Sequence, residues 1–391
     1  MAHIVSFEIA GLAGRKETVK KDLNPGVNIF WGKNGCGKTS MLKILHSALL
    51  DEATLLARVP FTHATVVIKS HLGILERRIR NPETSEGAAG TDTLFADDEW
   101  HDLQERERLF HQATRLRWTT KPIKTHTRTP KAGRAIKHSY LSTLRLSDTP
   151  RMRAGVTSSE VLDEAAYDRI FARQIQAIWQ DYYTRELMQI RHAQQRGLAA
   201  IATSVMVPSS SKRRKQSSVP EVDADTAYVA VKQFFEAQQF ELGVNYEEFV
   251  DNYRSSDLMR EVVEEVVDVQ RGIESAQEPT GALQTLVSDL FSGDKKLVFE
   301  GRSIRVTKGG DEIPLQSLSS GEKQVVRLLI ECLAAGANPV LIDEPELSMH
   351  VDWQHRLVSC MRTLNPRSQL ILATHSPEIM ADASDEEIVE L

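Results

Sequence analysis

Eight consecutive residues near the start of the chain, Gly-Lys-Asn-Gly-Cys-Gly-Lys-Thr at 32–39, have the spacing of a phosphate-binding loop. The glycines allow backbone conformations closed to other residues, so successive N–H groups can face one anion. Lys38 adds a positive charge for the β- and γ-phosphates of a nucleotide, and the Thr39 hydroxyl can ligate Mg²⁺. The predicted nucleotide contacts are Gly32, Asn34, Gly35, Cys36, Gly37, Lys38, Thr39 and Ser40.

A short apolar segment near the other end of the chain delivers two adjacent carboxylates. Pro339–Ile342 predicts a buried strand, and Asp343 and Glu344 follow at its end. Asp343 is placed to hold Mg²⁺ directly or through water. Glu344 can orient and polarise an attacking water, although an acidic strand end can also simply cap a helix. The complete phosphate loop upstream favours the catalytic interpretation of both carboxylates.

A second segment rich in serine and glycine, Leu318-Ser319-Ser320-Gly321-Glu322, precedes a helix with apolar periodicity. Ser319 or Ser320 would in any case cap that helix. Alternatively, the serine hydroxyls, the N–H of Gly321 and the helix dipole form a second phosphate-binding end. One chain seldom folds so that this segment faces its own phosphate loop. The second interpretation therefore requires another subunit.

One histidine, His375, follows a further buried strand in the string Ala373-Thr374-His375-Ser376-Pro377. A histidine after a strand is often a structural hydrogen-bonding residue. Its place beside the other motifs favours a role in phosphoryl transfer.

The motifs near both ends require strands and helices that position them. Val27–Trp31 predicts a strand that feeds the phosphate loop, and Ser40–Leu50 predicts the helix after it. Further strands are predicted at Pro339–Asp343 and Gln369–Ala373. A hairpin is predicted at Ala64–Lys69 and Gly73–Ile79, and a strand at Tyr140–Arg145. Helices are predicted from Ser319 or Ser320 to Ala335 and at His350–Leu364.

The middle of the chain predicts mainly helix, at Glu99–Trp118, from Ser158 to about Met206, and again from about Asp223. Heptad-like apolar spacing from Leu258 to Ile273 favours a helix-pair seam or a docking face for a partner protein. We therefore divide the chain into an α/β nucleotide-binding core at 1–95 and 293–391 and a helical insertion at 96–292. The insertion contains a basic segment at 121–137 and a flexible linker at 207–222.

The basic segment has six cations and no acid within 17 positions. It could bind a phosphodiester backbone, which needs only clustered positive charge, or it could be a solvated basic loop. The cations predicted to contact DNA are Lys121, Lys124, Arg128, Lys131, Arg134 and Lys137.

Composition excludes several classes of protein. The net charge of −6 over 391 residues gives no global case for nucleic-acid binding. Three cysteines make neither a disulfide framework nor a metal cluster. No secretion signal and no apolar run of the ~20 residues needed to cross a bilayer is present, which predicts a soluble cytoplasmic protein without a membrane partner.

The motifs together resemble those of the ABC ATPase superfamily of phosphate-loop NTPases. Within it, the chain resembles the non-transporter branch of RecF-like, SMC-like and overcoming-lysogenization-defect (OLD)-like ATPases. The run LIDEPELSMH followed by LILATHSPEIM is most similar to the OLD-like group found in bacterial anti-phage systems. The resemblance covers roughly residues 1–80 and 296–391. It implies an α/β ABC ATPase core interrupted by a mainly helical insertion.

The resemblance also implies roles for single residues. Lys38 and Thr39 would contact phosphate and Mg²⁺, and Asp343 would hold Mg²⁺. Glu344 would be the catalytic base, and His375 the switch histidine that contacts the γ-phosphate. The implied cofactors are ATP and Mg²⁺.

Other implied residues would act between two copies of the chain. Ser319 and Gly321 would donate to the nucleotide of the second copy, and Ser348 would contact that copy. The chain is thus expected to form a homodimer or higher homo-oligomer through composite ATP sites. Ser320 stands where many ABC proteins have glycine, and Glu322 where transporters commonly have glutamine. No glutamine occurs between Ser40 and Leu103, so the usual Q-loop position is left unassigned.

These features lead to two expectations about function. The first is an ATPase subunit of a bacterial anti-phage defence system that controls a separately encoded effector, a nuclease or a toxin. A separate effector is expected because the chain ends soon after His375. The alternative is a RecF-like DNA-repair ATPase that binds duplex DNA. The size of the insertion and the missing Q-loop argue against the nucleotide-binding subunit of a transporter.

Overall fold

The computed structural model describes residues 2–71, 73–81, 116–125, 135–142, 164–206, 223–237, 239, 241–291 and 293–391. Its strands are β1 (His3–Ala10), β2 (Thr18–Asp22), β3 (Val27–Trp31), β4 (His63–Ser70), β5 (Gly73–Arg80), β6 (Thr119–Thr125), β7 (Ser139–Leu141), β8 (Lys295–Glu300), β9 (Ser303–Lys308), β10 (Asp311–Ile313), β11 (Val340–Asp343), β12 (Leu370–Thr374) and β13 (Ile388–Glu390). Its helices are α1 (Lys38–Leu50), α2 (Glu164–Met206), α3 (Ala224–Ala237), α4 (Tyr246–Ser255), α5 (Asp257–Leu290), α6 (Ser320–Ala335), α7 (Val351–Leu364) and α8 (Pro377–Met380).

The strands that carry the chemistry lie in one parallel sheet, in the order β13-β3-β12-β11-β7. Leu372 pairs with Ile29 on one side and with Ile342 on the other, so β3, β12 and β11 run in register. The side chains of β11 and β12 are buried throughout, as is typical of parallel strands covered on both faces. Because parallel strands end at the same edge, the residues that follow β3, β11 and β12 meet there.

An antiparallel sheet, in the order β2-β1-β4-β5-β6, packs against the helix that follows the phosphate loop. One face of this sheet is apolar and buries Phe7 and Val66 against Leu42 and Leu45 of α1. Burial of this kind contributes about 25 cal/mol per Å² of apolar surface. The core thereby fixes α1 and, with it, the phosphate loop at its start.

A buried arginine ties the antiparallel sheet to the end of α1. Arg77 of β5 is 1% exposed and donates to the backbone carbonyls of Ala48 and Leu49, with Asp51 at 3.8 Å. Burial lowers the pKa of Arg77, while Asp51 acts in the opposite direction. The guanidinium thus satisfies carbonyls at the negative end of the helix dipole.

The chain divides into two compact units. The core unit comprises residues 1–178, 286–298 and 304–391; the helical arm comprises residues 179–285 and 299–303. Within the arm, α2 and α5 run antiparallel: Thr280 donates to Glu186 at 2.6 Å, and a Cβ at Gly197 would meet Val269. A separate apolar cluster packs α3 and α4 against α5 and includes Phe234, Phe249, Val263 and Val266.

The structure confirms the predicted β-α-β elements of the core, with small shifts at their ends. The helix after the phosphate loop begins at Lys38, two residues before the predicted start, and the strand predicted at Tyr140–Arg145 is Ser139–Leu141 in the described part. The helix predicted at Glu99–Trp118 is wrong at its end, because 116–118 are non-helical and lead into β6. The domain boundaries at 95/96 and 292/293 stay a prediction, and the linker at 207–222 lies outside the described residues.

Candidate functional site

The phosphate loop connects β3 to α1. Gly35 and Gly37 have φ angles of 81° and 101°, a region that favours glycine because it has no Cβ. A Cβ on Gly37 would lie 2.9 Å from Cγ of Leu12, so the close packing at this point also requires glycine. The turn directs the N-terminus of α1, with its unpaired N–H groups and positive dipole end, at the loop.

The lysine of the loop is held inside it. Lys38 is 5% exposed, and its Nζ donates to the carbonyl of Gly32 at 2.6 Å and to that of Lys33 at 3.4 Å. Cys36 is also buried, with its sulfur against Gly32, so only its backbone can face a ligand. Lys33, Asn34 and Gly35 form the exposed rim of the loop.

Asp343 lies beside the loop, at the carboxyl end of β11. The Thr39 hydroxyl donates to Asp343 Oδ1 at 3.1 Å, although 304 residues separate the two in sequence. Asp343 is 2% exposed, and its Oδ2 has no hydrogen-bond partner among the described residues. The pKa of Asp343 is raised to about 6, chiefly by burial and to a smaller extent by the carboxylates of Glu344 and Glu346, against the opposing effects of Thr39 and Lys43.

These features fit a magnesium site. A buried carboxylate with an unsatisfied oxygen beside a hydroxyl is the donor set that Mg²⁺ uses when nucleotide phosphates and water supply the other ligands. Among the described residues, no group of three or more His, Cys, Asp or Glu side chains could hold a metal by itself.

Glu344 and His375 lie next to each other at the same edge of the sheet. Glu344 has a φ of 47°, unusual for a residue with a side chain, and its N–H donates to the Ala373 carbonyl at 2.7 Å. Its Oε1 lies 3.7 Å from Nδ1 of His375, and both side chains are partly exposed. Both side chains are therefore accessible to solvent at the edge of the sheet where β3 leads into the phosphate loop.

Sequence reasoning missed a third carboxylate, Glu346. It is 7% exposed, and its Oε1 accepts from the Thr374 hydroxyl at 2.7 Å and from the His375 N–H at 3.0 Å. The same oxygen lies 3.2 Å from Nδ1 of His375. Glu346 thus fixes the turn that presents His375. The available signal was the third acid of the run Asp-Glu-Pro-Glu at 343–346, to which the sequence assigned no role.

The segment that contains Ser319, Ser320 and Gly321 begins α6. Ser319 is the N-cap, and Glu322 completes a capping box in which each residue bonds the backbone of the other. A Cβ on Gly321 would lie 2.6 Å from the carbonyl of Ser348, which has a φ of 63°. Among the described residues, no hydrogen bond or ion pair joins Ser319, Ser320 or Gly321 to the loop at 32–39.

A strand beside β11 ends near Glu344 and was not foreseen as part of the site. β7 pairs with β11 in parallel, with Leu141 opposite Ile342, and Ser142 follows at the same edge. Ser142 lines a cavity of about 20 Å³ together with Ser320, Glu344 and Ser348. That volume suits one water molecule. Ser142 thus reaches the same edge of the sheet as Glu344.

The predicted DNA-contact residues are only partly described. Lys121 is exposed on β6 and Lys137 is exposed before β7. Arg128, Lys131, Arg134 and the side chain of Lys124 lie outside the described residues. The open face of the antiparallel sheet carries a groove of about 710 Å³ whose basic lining residues are Lys20, Arg78, Arg80 and Arg117.

No helix among the described residues is long and apolar enough to span a membrane.

Two curated proteins share parts of the sequence. "Retron Vc95 probable ATPase" from Vibrio cholerae serotype O1 biovar El Tor is 31% identical over 122 residues, which cover 27% of this chain and 23% of that protein. "Septu protein PtuA" from Bacillus thuringiensis is 26% identical over 165 residues, which cover 38% of this chain and 40% of that protein. The chain therefore aligns with less than half the length of each of these relatives.

Solved structures similar to the chain include head domains of Smc proteins. The Smc head with an extended coiled coil, bound to the C-terminal domain of ScpA, from Pyrococcus furiosus matches with a TM-score of 0.43 and 13% identity, over 100% of this chain and 93% of that one. The Smc head with a coiled coil and joint from Pyrococcus yayanosii matches with a TM-score of 0.42 and 13% identity, over 100% and 95%.

A family model spans nearly the whole chain. The family described as "AAA domain, putative AbiEii toxin, Type IV TA system" matches residues 27–381, a range that begins at β3 and includes every motif discussed above. This confirms the assignment to the ATPases that the motifs indicated, and the α/β core with its helical insertion. The chain belongs to this family of AAA-domain ATPases.

Proposed function

We propose that the chain is the Mg²⁺-dependent ATPase subunit of a bacterial anti-phage defence system, that two copies close around ATP, and that closure controls a separately encoded nuclease or toxin. The observation that carries the catalytic part is the bond between Thr39 and buried Asp343, which unites the two distant halves of the motif set. The effector part is supported by the toxin in the family description and by the relatives named for a retron and as a Septu protein.

The core residues divide the chemistry of ATP hydrolysis. The N–H groups of the phosphate loop and the ammonium of Lys38 hold the phosphates. Thr39 and Asp343 would hold Mg²⁺, which when bound neutralises charge on the β- and γ-phosphate oxygens. Glu344 accepts a proton from the attacking water. His375, presented by Glu346, donates a hydrogen bond to the γ-phosphate.

The remaining donors come from a second copy. Ser319, Gly321 and the N-terminus of α6 supply a hydroxyl, an N–H and a dipole end suited to phosphate. They have no bond to the chain's own phosphate loop within the described residues, which supports their use on the nucleotide of another subunit. Ser348, in a turn directly against Gly321, contacts that subunit in the same arrangement.

The Glu344→Gln variant tests the catalytic part. We expect it to bind ATP with wild-type affinity but to release phosphate at least about 100-fold more slowly, because the general base is gone. Trapped ATP should then make the variant dimeric, as measured by light scattering with size exclusion. The exposed Glu386→Gln is the matched control and should hydrolyse normally. Wild-type turnover by Glu344→Gln would refute the mechanism.

The defence part is tested in cells. The gene is expressed with its flanking open reading frames in a bacterial host, and phage plaques are counted. Protection should disappear with Lys38→Ala and with deletion of the flanking nuclease or toxin gene. Protection by the ATPase alone would contradict a separate effector.

A second candidate, duplex DNA binding of the RecF-like kind, is favoured by Arg80 and Arg117 in the groove on the antiparallel sheet. The other two cations of this groove, Lys20 and Arg78, are paired with Glu8 and Glu76. Its test is salt-dependent DNA binding by wild type and by a variant with Arg80→Glu and Lys121→Glu. Loss of ATP-dependent binding in the variant would support this candidate. Binding that is equal in both proteins would reject the route through this face.

A further inference from the structure

The first turn of α6 carries two neighbouring residues of opposite charge, Glu322 and Lys323. Each pairs with a residue distant in sequence. Lys295 Nζ lies 2.8 Å from Glu322 Oε2, and Lys323 Nζ lies 2.7 Å from Asp168 Oδ1. All four side chains are partly buried, with exposures between 16% and 30%. Partly buried ion pairs are less screened by solvent than fully exposed ones.

The pair between Lys295 and Glu322 reaches the N-cap itself. The same Oε2 of Glu322 accepts from Lys295 and, at 2.6 Å, from the backbone N–H of Ser319. Lys295 also donates to the carbonyl of Ser317 at 3.4 Å. Burial alone would raise the pKa of Glu322, but the bonds from Lys295 and Ser319 outweigh it and lower the pKa, so the carboxylate is charged. A capping box needs only Ser319 and Glu322; the lysine is additional.

The two pairing residues come from the segments that join the core to the helical arm. Asp168 lies in the early turns of α2, which continues into the arm at 179. Lys295 begins β8, a few residues after α5 returns from the arm. Gln176 of α2 also accepts from the backbone N–H of Ile304 at 3.2 Å, which fixes this part of α2 on β9. The two segments that join the core to the arm therefore both pair with the first turn of α6.

We propose that Lys295 and Asp168 are positioning residues that hold the first turn of α6, and with it Ser319, in the orientation that engages the ATP of a second copy. This inference rests on the proposed composite site. We call the pairs Lys295–Glu322 and Asp168–Lys323 the charge clasp. Each pair involves one of the two segments that join the core to the arm. A movement of either joining segment changes the orientation of Ser319 through these pairs. The chain's own phosphate loop is not affected.

A charge swap tests the clasp in the full chain. Lys295→Glu is made in the Glu344→Gln background, which stabilises the ATP-bound dimer. We expect ATP-dependent dimerisation to weaken about tenfold, while binding of a fluorescent ATP analogue to the monomer changes less than twofold. In the Glu344-containing protein, the same substitution should lower kcat about tenfold with little change in KM. Lys295→Arg keeps the positive charge beside Glu322 and should retain both, whereas Glu322 itself is left unchanged because its carboxylate also accepts from the Ser319 N–H.

Lys296→Glu is the matched control, because Lys296 is the next residue and is exposed. It should leave dimerisation and kcat within twofold of the parent. Asp168→Lys, rescued by Lys323→Asp, tests the second pair in the same way. Rescue by the swapped pair shows that the charge pair itself matters. Binding of the ATP analogue separates positioning from misfolding, because a variant that simply unfolds also loses this binding.

Two results separate failure of the clasp from failure of the proposed function. If the Glu344→Gln protein does not dimerise with ATP, the composite site itself is refuted. If it dimerises and Lys295→Glu dimerises equally well, or if Lys323→Asp restores nothing in Asp168→Lys, the clasp is refuted.

Discussion

At the scale of single residues, the site depends on buried carboxylates held in different ways. Asp343 has one oxygen bonded to Thr39 and the other without a hydrogen-bond partner among the described residues. Glu346 Oε1 accepts from the Thr374 hydroxyl and the His375 N–H, and Glu346 Oε2 also has no hydrogen-bond partner among the described residues. Leaving a buried polar group unpaired costs about 1–3 kcal/mol. Such a cost is expected where cations or substrate complete the bonding.

The first prediction concerns Glu346→Ala. Removal of this carboxylate leaves the buried Thr374 hydroxyl and the His375 N–H without their acceptor. We expect kcat for ATP hydrolysis to fall about tenfold, equivalent to ~1.4 kcal/mol, as His375 loses its orientation. ATP binding should change little, because Glu346 does not belong to the phosphate loop. Steady-state phosphate release and equilibrium nucleotide binding measure the two effects.

Glu346→Gln is the conservative comparison, since its amide oxygen can still accept from Thr374 and His375. It should retain more activity than Glu346→Ala. Equal losses in both variants would show that the charge of Glu346, rather than its hydrogen bonds, is what matters.

The second prediction concerns pH and a histidine pair in the core. His46 Nδ1 lies 2.7 Å from His138 Nε2, and burial, followed by the charge of His138, lowers the pKa of His46 to about 3. An unfolded histidine binds a proton below about pH 6.5, whereas the folded one stays neutral. Stability is therefore fully present above pH 6.5 and is lost as pH falls towards 3. Between pH 7 and 5 this residue alone removes about 2 kcal/mol.

Urea unfolding at both pH values measures that loss. His46→Phe, which keeps a ring against Tyr140, should show a smaller loss than the wild type. The exposed His355→Gln should lose as much as the wild type. An equal loss in His46→Phe and wild type would show that carboxylates, and not this histidine pair, set the acid sensitivity.

At the scale of helices and strands, long apolar runs made the core predictable. β3, β11 and β12 were predicted within a residue at each end, because fully buried parallel strands have continuous apolar sequences. β2 was missed, since its residues Thr18–Asp22 are alternately exposed and mostly polar. The place of β7 beside β11 was also missed, because strand order depends on contacts distant in sequence.

Single residues of the site divide in the same way. Lys38, Thr39, Asp343 and Glu344 could be proposed from the sequence because local spacing defines their motifs. Glu346 could not be assigned a role, since its partners lie 28 and 29 residues away. The partners of Glu322 and Lys323, at separations of 27 and 155 residues, left no trace in the sequence pattern.

The third prediction concerns the pairing of α2 and α5 in the arm. A Cβ on Gly197 would lie 1.8 Å from a methyl group of Val269, and one on Gly272 would lie 3.2 Å from Ala193. The two helices therefore approach closely because small residues face each other. Gly197→Leu should force them apart and destabilise the arm by about 1–3 kcal/mol, as overpacking does. Thermal unfolding followed by circular dichroism, with limited proteolysis of the arm, measures the change.

Gly281→Ala is the matched control in α5, since nothing lies within 4 Å of the added Cβ. It should stabilise the helix by about 0.5–1 kcal/mol, the usual gain when alanine replaces glycine within a helix. If Gly197→Leu is as stable as the wild type, close packing is not what holds the two helices together.

At the scale of the whole molecule, the two halves of the motif set play different parts. The phosphate loop, Asp343 and His375 meet at one edge of the parallel sheet within a single chain. The segment from Ser319 to Gly321 has no bond to that loop among the described residues. The proposed assembly follows from this division, because each copy then offers a complete loop and a set of donors to its partner.

The fourth prediction tests this division by mixing two inactive variants. Lys38→Ala lacks the loop charge but keeps Ser319; Ser319→Arg blocks the donor end but keeps the loop. In a dimer of one of each, one site combines both defects and the other combines both intact halves. With random pairing, half of the dimers are mixed, so an equal mixture should regain roughly a quarter of wild-type ATP hydrolysis, although each variant alone is inactive. Phosphate release is measured as the mole fraction of one variant is varied at constant total protein, and it should pass through a maximum at equal amounts. If each Ser319 served its own chain, no mixture would exceed the sum of its parts, and the curve would stay flat at the residual rate of the separate variants.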